Sequence, residues 1–354
     1  MLVLGIDTSC DDTSAAVVTG DFKILSNIVS SQDEVHTKFG GVVPELASRK
    51  HLENIIPIID SALETAGVSL KEIDIIAVTQ GPGLVGSLVS GISAAKAMSL
   101  ALEIPLLGVN HIEGHIASSL LTEDPPTLPF VALVVSGGHT SLYVVREIGG
   151  ENGGGDMEYI LMGQTLDDAA GEAFDKVAKL LGLGYPGGRL IEGAAAAARD
   201  RGEEGVKFPR AYLEKDSFDF SFSGVKTSVR NFIKEREADG QLNGELTRRI
   251  ALGFQEAVVE VLVTKSIGLA LSYVNIDGRS DSIKTVVLCG GVASNSALRE
   301  AMIERANEHG IRVVIPKREL CTDNGAMIGA VGVIKAGEAS LERGDMNAIS
   351  RMKI

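Results

Sequence analysis

The chain carries one short layout twice. LVLGIDTSCDDTSAAVV (2–18) reads as an apolar strand, a small polar turn and a second apolar strand, and VALVVSGGHTSLYVV (131–145) repeats it. Each copy is followed by another strand candidate, at 23–30 and 159–163, and then by helical periodicity. Two such units predict a duplicated α/β fold of two lobes, with the polar turns facing each other across a central cleft. The length of 354 residues supports about two domains at ~150 residues each. Between the halves, TEDPPTLPF (122–130) places three of the ten prolines within five residues and reads as a stiff hinge. GGENGGGD (149–156) reads as a hairpin loop. Helices are expected at 45–66, 83–102, 111–121, 166–181, 189–200, 245–273, 295–309 and 323–336. Further buried strands are expected at 73–79, 285–289 and 311–315, with a looped tail at 338–354.

Composition excludes several classes. Forty-one glycines without a Gly-X-Y period rule out collagen and point to tight turns and close backbone approaches. Net charge is −14, so no chain-wide positive field draws in nucleic acid. Any such contact must be local. Residues 176–234 carry 11 bases and 7 acids against 6 and 13 in residues 1–110, which makes that segment the candidate basic surface. The three widely spaced cysteines, Cys10, Cys289 and Cys321, suit reduced thiols in a cytoplasmic protein. The opening MLVLGID meets an aspartate too early for a signal peptide. The uncharged stretch 75–95 contains Pro82, four glycines and three serines, so it reads as strand, turn and helix rather than a membrane span.

Four motifs could carry chemistry. In NHIEGH, a helix would set His115 about 40° round from His111 and about 6 Å along the axis, so that both imidazoles can reach one metal. Two capped or surface histidines fit the same spacing. A zinc protease is disfavoured, because HExxH needs a glutamate where Ile112 stands and Glu113 falls on another side of the helix. VSGGHT (135–140) offers backbone N–H groups with little side-chain bulk, as a phosphate-cradling turn does, although a plain hairpin turn also explains it. DTSCDDTS crowds Asp7, Asp11 and Asp12 into one turn, where carboxylates repel unless a metal or proton intervenes. CTDNGAM places Asp323 at a helix start, where N-capping is the ordinary reading.

Together LGIDTSCDDTS, GGVVPELASRKH, GPGLVGSLVSG, NHIEGH, VSGGHTSLY, DDAAGEAFDKVAKLLGLGYPGG, DFSFSGVKT, GGVASN and CTDNGAM resemble the bacterial TsaD family in order and spacing. The resemblance implies an actin-like ATPase fold, as in hexokinase and the heat-shock ATPases. Its lobes would span 1–110 with 324–340, and 111–323 with a helical insertion at 165–275. It further implies transfer of a threonylcarbamoyl group from threonylcarbamoyl-adenylate to N6 of the adenosine 3′ of the anticodon in tRNAs reading ANN codons. His111, His115 and Asp323 would hold one divalent metal, Fe(II) or else Zn(II). Val134, Val135, Ser136, Gly137, Gly138 and His139 would line the phosphate and carbamoyl part of the donor, or of ATP, ADP or AMP. Asp175 and Glu192 would take the ribose hydroxyls, Gly188 would pack on the nucleoside, and Asn295 would bind the adenine. The family's partners would be a shorter TsaB-like paralogue and a TsaE-like ATPase, besides tRNA.

Within this scheme Asp11 is the candidate proton acceptor, with Asp12 beside it. Lys207, Arg210, Lys226 and Arg230 form the candidate RNA surface. The small residues Ser87, Ser90, Gly91, Ala94 and Ala95 would let a partner helix approach closely, unless they serve internal packing. An O-carbamoyltransferase acting on a small metabolite and a non-catalytic nucleotide-gated scaffold are the competing readings.

Overall fold

The computed structural model describes residues 1–148, 156–211, 217–273, 283–341 and 346–354. The proposed 149–156 loop lies outside these, apart from Asp156. The chain forms two compact units, Met1–Pro125 with Pro316–Ile354, and Pro126–Ile315. The first division falls inside the proline-rich stretch. Neither matches the boundaries at 110/111 and 323/324 drawn from the sequence, and both histidines of NHIEGH and Asp323 sit in the first unit.

The first unit contains β1 (Leu2–Asp7), β2 (Thr13–Thr19), β3 (Ile24–Ser30), α1 (Asp33–Thr37), α2 (Pro44–Ala66), β4 (Ile75–Gly81), α3 (Val85–Leu102), β5 (Leu106–Asn110) and α4 (His111–Ala117). In the second follow β6 (Phe130–Val135), β7 (Thr140–Ile148), β8 (Asp156–Gln164), α5 (Ala170–Leu180), α6 (Gly187–Asp200), α7 (Ser223–Ala238), α8 (Gly244–Ser272), β9 (Thr285–Cys289), α9 (Ser296–Asn307) and β10 (Arg312–Val314). The chain then returns to the first unit with α10 (Arg318–Cys321) and α11 (Gly325–Ile334). The sheets run β3-β2-β1-β4-β5 and, read in the matching sense, β8-β7-β6-β9-β10. In each the first three strands are antiparallel and the last two join the leading strand in parallel. The duplication read from the sequence is therefore a duplication of topology.

Strand alternation sorts the core of the first unit. Leu4 and Ile6 of β1 join Ile76 and Val78 of β4 against Ile55 and Ile59 of α2 and Leu88 and Ile92 of α3. Val3, on the opposite face, joins Ala77, Val109 and the α11 residues Met327, Ile328 and Val331. Gly5 shares that opposite face. A Cβ there would overlap the Gly325 carbonyl oxygen and the Gly329 backbone, so α11 lies on β1 at a distance only glycine permits.

Helix α3 is long and apolar enough to cross a membrane by length and composition alone. It packs instead on α2 and β4. Its small residues serve that packing: Ser87, Gly91 and Ala95 are buried, and a Cβ on Gly91 would press on the Thr8 side chain at 2.5 Å. Of the two readings of this face, internal packing accounts for Ser87, Ser90, Gly91 and Ala95, while Ala94 is half-buried. Three helices were not anticipated. α1 and α10 are short turns of helix, and α7 is a polar helix whose buried row, Val225, Val229 and Ile233, is one residue wide. The described residues beyond Ala339 form no helix or strand, and they are tied to the β4 end where Ile349 N–H donates to the Gln80 carbonyl at 2.9 Å.

Replacing Gly5 with alanine is expected to lower stability by about 1–3 kcal/mol, the usual cost of overpacking a filled interior. Denaturant unfolding of the Gly5→Ala variant measures it; an unchanged midpoint would show that α11 is not seated as described.

Candidate functional site

In the first unit, the C-terminal ends of β1 and β5 and the N-terminal end of α11 meet in one polar cluster. β5 passes directly into α4, whose N-terminus is capped by Asn110: its Oδ1 accepts from the amides of Ile112 and Glu113 at 2.9 and 3.3 Å. His111 and His115 then lie one turn apart, with ring centroids 4.6 Å apart and planes at 74°. Both rings are buried. Glu113 and Gly114 of the motif both meet α11 or its C-terminal end. Glu113 is buried in an ion pair with Lys335 at 3.0 Å, which removes it from the chemistry as the helical geometry predicts. Gly114 lies so close to α11 that a Cβ would sit 2.9 Å from Ile328.

Helix α11 is capped by Asn324, whose Oδ1 accepts from Met327 N–H at 3.0 Å. The capping role first read for Asp323 thus belongs to its neighbour. Asp323 instead sets Oδ1 3.5 Å from His111 Nε2 and 3.4 Å from His115 Nε2. One ligand atom from each of the three lies within 4.8 Å of the others. Donors about 2.1 Å from a shared tetrahedral ion stand about 3.4 Å apart, so the set has the dimensions of a metal site. Neither ring nitrogen of buried His115 has a hydrogen bond, and a buried polar atom left without one is costly. Two imidazoles and one carboxylate fit a single divalent ion.

The charges around the cluster are strongly coupled. Burial pulls His111 down, but the Asp323 and Asp7 carboxylates outweigh it and the ring is pushed up to about 9. Burial lowers His115. On the β1–β2 turn, burial raises the Asp11 carboxyl, and burial with the charges of Asp323 and Asp11 pushes Asp12 up to about 8. Asp12 therefore holds its proton at neutral pH and is a poor acceptor there.

Sequence reading missed the residue that shapes this turn. His51 of α2 is fully buried, with Nε2 3.0 Å from the Cys10 carbonyl and Nδ1 2.8 Å from Thr13 Oγ1. A carbonyl only accepts, so Nε2 carries the hydrogen and Nδ1 accepts from the threonine hydroxyl. The last residue of GGVVPELASRKH thus pins both ends of the segment bearing Asp11 and Asp12.

The second unit gathers the other candidates. Ser136 to His139 form the β6–β7 turn, closed by Ser136 N–H donating to the His139 carbonyl at 2.8 Å and His139 N–H to Ser136 Oγ at 3.2 Å. Gly137 and Gly138 are exposed, with no atom within 4 Å of where a Cβ would stand. Val134 and Val135 are wholly buried inside β6, so their side chains line no ligand surface. Gly171, at the start of α5, meets the turn so closely that a Cβ would lie 2.6 Å from the Ser136 oxygen. Asp175 accepts from Gly187 N–H at the start of α6 at 2.8 Å, next to the open position of Gly188. Glu192 accepts from Ser296 N–H at 2.8 Å. Asn295 caps α9 by accepting from Leu298 N–H at 3.0 Å and donates to Gln255 Oε1 at 2.8 Å. Gln255 was not read from the sequence, where it is one more polar residue in a long helix.

A family profile described as TsaD, tRNA N6-adenosine threonylcarbamoyltransferase, matches residues 23–330. The chain belongs to this family. A relative of that name from Syntrophus aciditrophicus is 49% identical over 99% of this chain and 97% of its own. Another from Geotalea uraniireducens is 51% identical, covering 99% and 95%, and one from Clostridioides difficile is 46% identical, covering 100% and 98%. The protein is accordingly a transferase of the tRNA-modifying kind. Among solved structures, full-length HypF in its phosphate- and nucleotide-bound form superposes with a TM-score of 0.57 at 15% identity, over 96% of this chain and 47% of that one. The ADPNP-bound activator of 2-hydroxyisocaproyl-CoA dehydratase from Clostridium difficile gives 0.51 at 13%, over 96% of each chain. These two likenesses establish the actin-like fold of the family member.

Because burial lowers the His51 pKa, the unfolded chain binds a proton there more readily than the folded one. Its stabilising contribution is full above the ordinary histidine value of about 6.5 and is lost as pH falls through it. His51→Gln can copy both hydrogen bonds without titrating. The melting temperature of the wild type relative to this variant is expected to drop between pH 7.5 and 5; a constant difference would contradict the lowering of His51 by burial.

Proposed function

We propose that this TsaD-family protein transfers the threonylcarbamoyl group of threonylcarbamoyl-adenylate to N6 of the adenosine 3′ of the anticodon in tRNAs reading ANN codons, releasing AMP, in the cytoplasm. Near end-to-end identity of about half the residues with relatives named for this transfer carries the reading.

His111, His115 and Asp323 would hold the ion, with Fe(II) favoured by the two-histidine, one-carboxylate set and Zn(II) as the other choice. When bound, it supplies Lewis-acid polarisation of phosphate and carbonyl oxygens. The exocyclic amine of adenine is a weak nucleophile because its lone pair is delocalised into the ring, so a mixed anhydride with AMP is needed as donor. The amine nitrogen forms the new bond to the carbamoyl carbon, the carbon–oxygen bond to phosphate breaks, and AMP departs with that electron pair. Asp11 accepts the amine proton; its carboxyl, raised by burial, is a stronger base than a solvated aspartate. On the nucleotide side, the exposed Gly137 and Gly138 of the β6–β7 turn suit an anionic phosphate. Asp175 and Glu192 suit ribose hydroxyls, open Gly188 a nucleoside face, and Asn295 the adenine.

The RNA surface narrows to fewer residues than the segment count suggests. Arg210 is paired with Glu260 at 2.9 Å, and Lys226 is paired with Asp168. Lys207 and Arg230 are exposed, and neither forms an ion pair among the described residues. A shorter TsaB-like paralogue and a TsaE-like ATPase are the protein partners this reading implies.

Purified protein, threonylcarbamoyl-adenylate and unmodified tRNA, with the implied partners, should yield modified adenosine. Chelation should abolish it, and Fe(II) or Zn(II) should restore it. Equal product after verified metal removal would refute the role given to the ion. Reversing the charge of both Lys207 and Arg230 should weaken tRNA binding and reduce the slope of log affinity against log salt by about 2, one for each phosphate no longer neutralised. An unaltered slope would move the RNA surface elsewhere.

A further inference from the structure

Asp7 is the last residue of β1 and is completely buried, with no lysine or arginine paired to it among the described residues. Such a carboxylate needs both hydrogen-bond donors and a compensating positive group. Two donors are neutral hydroxyls: Ser9 Oγ donates to Oδ2 at 3.1 Å and Thr79 Oγ1 to Oδ1 at 2.5 Å. Turn chemistry explains the first of these. It does not explain Oδ1, which also lies 3.5 Å from His111 Nδ1. That ring nitrogen is buried and has no hydrogen bond, while the opposite nitrogen, Nε2, faces Asp323. His115 has no counterpart, since its Nδ1 has neither a hydrogen bond nor a second carboxylate in ion-pair range among the described residues.

We propose that Asp7 is a positioning residue for His111, taking the Nδ1 hydrogen in a hydrogen bond that fixes the tautomer and turns the Nε2 lone pair toward the ion shared with His115 and Asp323. The proposal rests on the metal-site reading above. A carboxylate behind a ligating imidazole holds the ring's orientation and makes the nitrogen a better donor, and losing such a partner commonly weakens metal binding 10- to 100-fold. The arrangement also explains why Thr79, near the end of β4, and Ser9, in the β1–β2 turn, are buried polar residues: they hold the carboxylate so that one oxygen stays on the histidine. Closing the 3.5 Å gap to a full hydrogen bond requires a ring movement of well under 1 Å, of the size that loosely aligned groups undergo when a site is filled.

The test measures Zn(II) affinity by competition with a chromophoric chelator for the full-length wild type and for Asp7→Asn. Asparagine keeps an oxygen for His111 and Thr79 and a polar group for Ser9, so it removes the charge with little change of shape. The dissociation constant is expected to rise 10- to 100-fold; a change of less than twofold in the folded variant would overturn the proposal. Should Asp7→Asn fail to fold, nitrogen-15 histidine spectra of the Zn(II)-loaded wild type decide alone. His111 ligating through Nε2 with a protonated Nδ1 supports the assignment, and ligation through Nδ1 refutes it. Wild-type protein that binds no Zn(II) or Fe(II) at all would reject the metal site itself, a different failure from an unaffected asparagine variant.

Discussion

The seating of α11 on β1 and α4 is the packing on which the candidate metal centre depends. Gly5 meets Gly325 and Gly329 backbone to backbone, and Gly114 lets α4 approach the Ile328 and Met327 side chains. Side chains at these places would lift α11 away and carry Asp323 with it. The Lys335–Glu113 pair then clamps the far end of α11 to α4. A late segment of the chain is thus fixed against the first sheet by packing, and its first residues present a carboxylate to two imidazoles. The electrostatics follow from the packing. Burying Asp7 and His111 together is tolerable because the carboxylate and the imidazole can balance each other, and an ion held by His111, His115 and Asp323 would add to that balance.

In the second unit, the groups suited to a nucleotide already hold the protein together. Asp175 and Glu192 accept from the amides that open α6 and reach α9, and Asn295 caps α9 itself. The amides at these helix starts are therefore engaged. An anionic phosphate has better access to the β6–β7 turn, where Gly137 and Gly138 are exposed and unobstructed. Substituting Asp175 or Asn295 with alanine would confound binding with helix capping, so isosteric replacements are the informative ones.

The sequence made local relations legible and left tertiary ones hidden. A spacing of four puts His111 and His115 together whatever surrounds them, and the repeated strand-turn-strand layout survives as two sheets of one topology. Gly114 and Glu113 mean nothing until α11 lies beside them. Asp323 looked like a cap because capping is decided by neighbouring residues, yet Asn324, one position on, makes the bond. The small face of α3 invited a partner helix, but the close neighbour is Thr8, distant in sequence. Helix α7 escaped notice because one apolar residue per turn is a weak signal in a polar stretch. His51 and Asp7 were present in the motifs, but their roles require knowing which atoms they face.

Charge sets the remaining constraint. With a net charge of −14 the protein repels RNA at long range, but at ~0.15 M salt such repulsion is screened beyond about 8 Å. Close contacts then decide, and the ion pairs of Arg210 and Lys226 show that a basic residue count overstates what is available for phosphate. Exposed cations outside such pairs, Lys207 and Arg230 among them, give a salt-sensitive attraction. Selectivity for one adenosine must therefore come from how the base enters the site and from any surface that partner chains add, since bulk attraction to the polyanion supplies little of it.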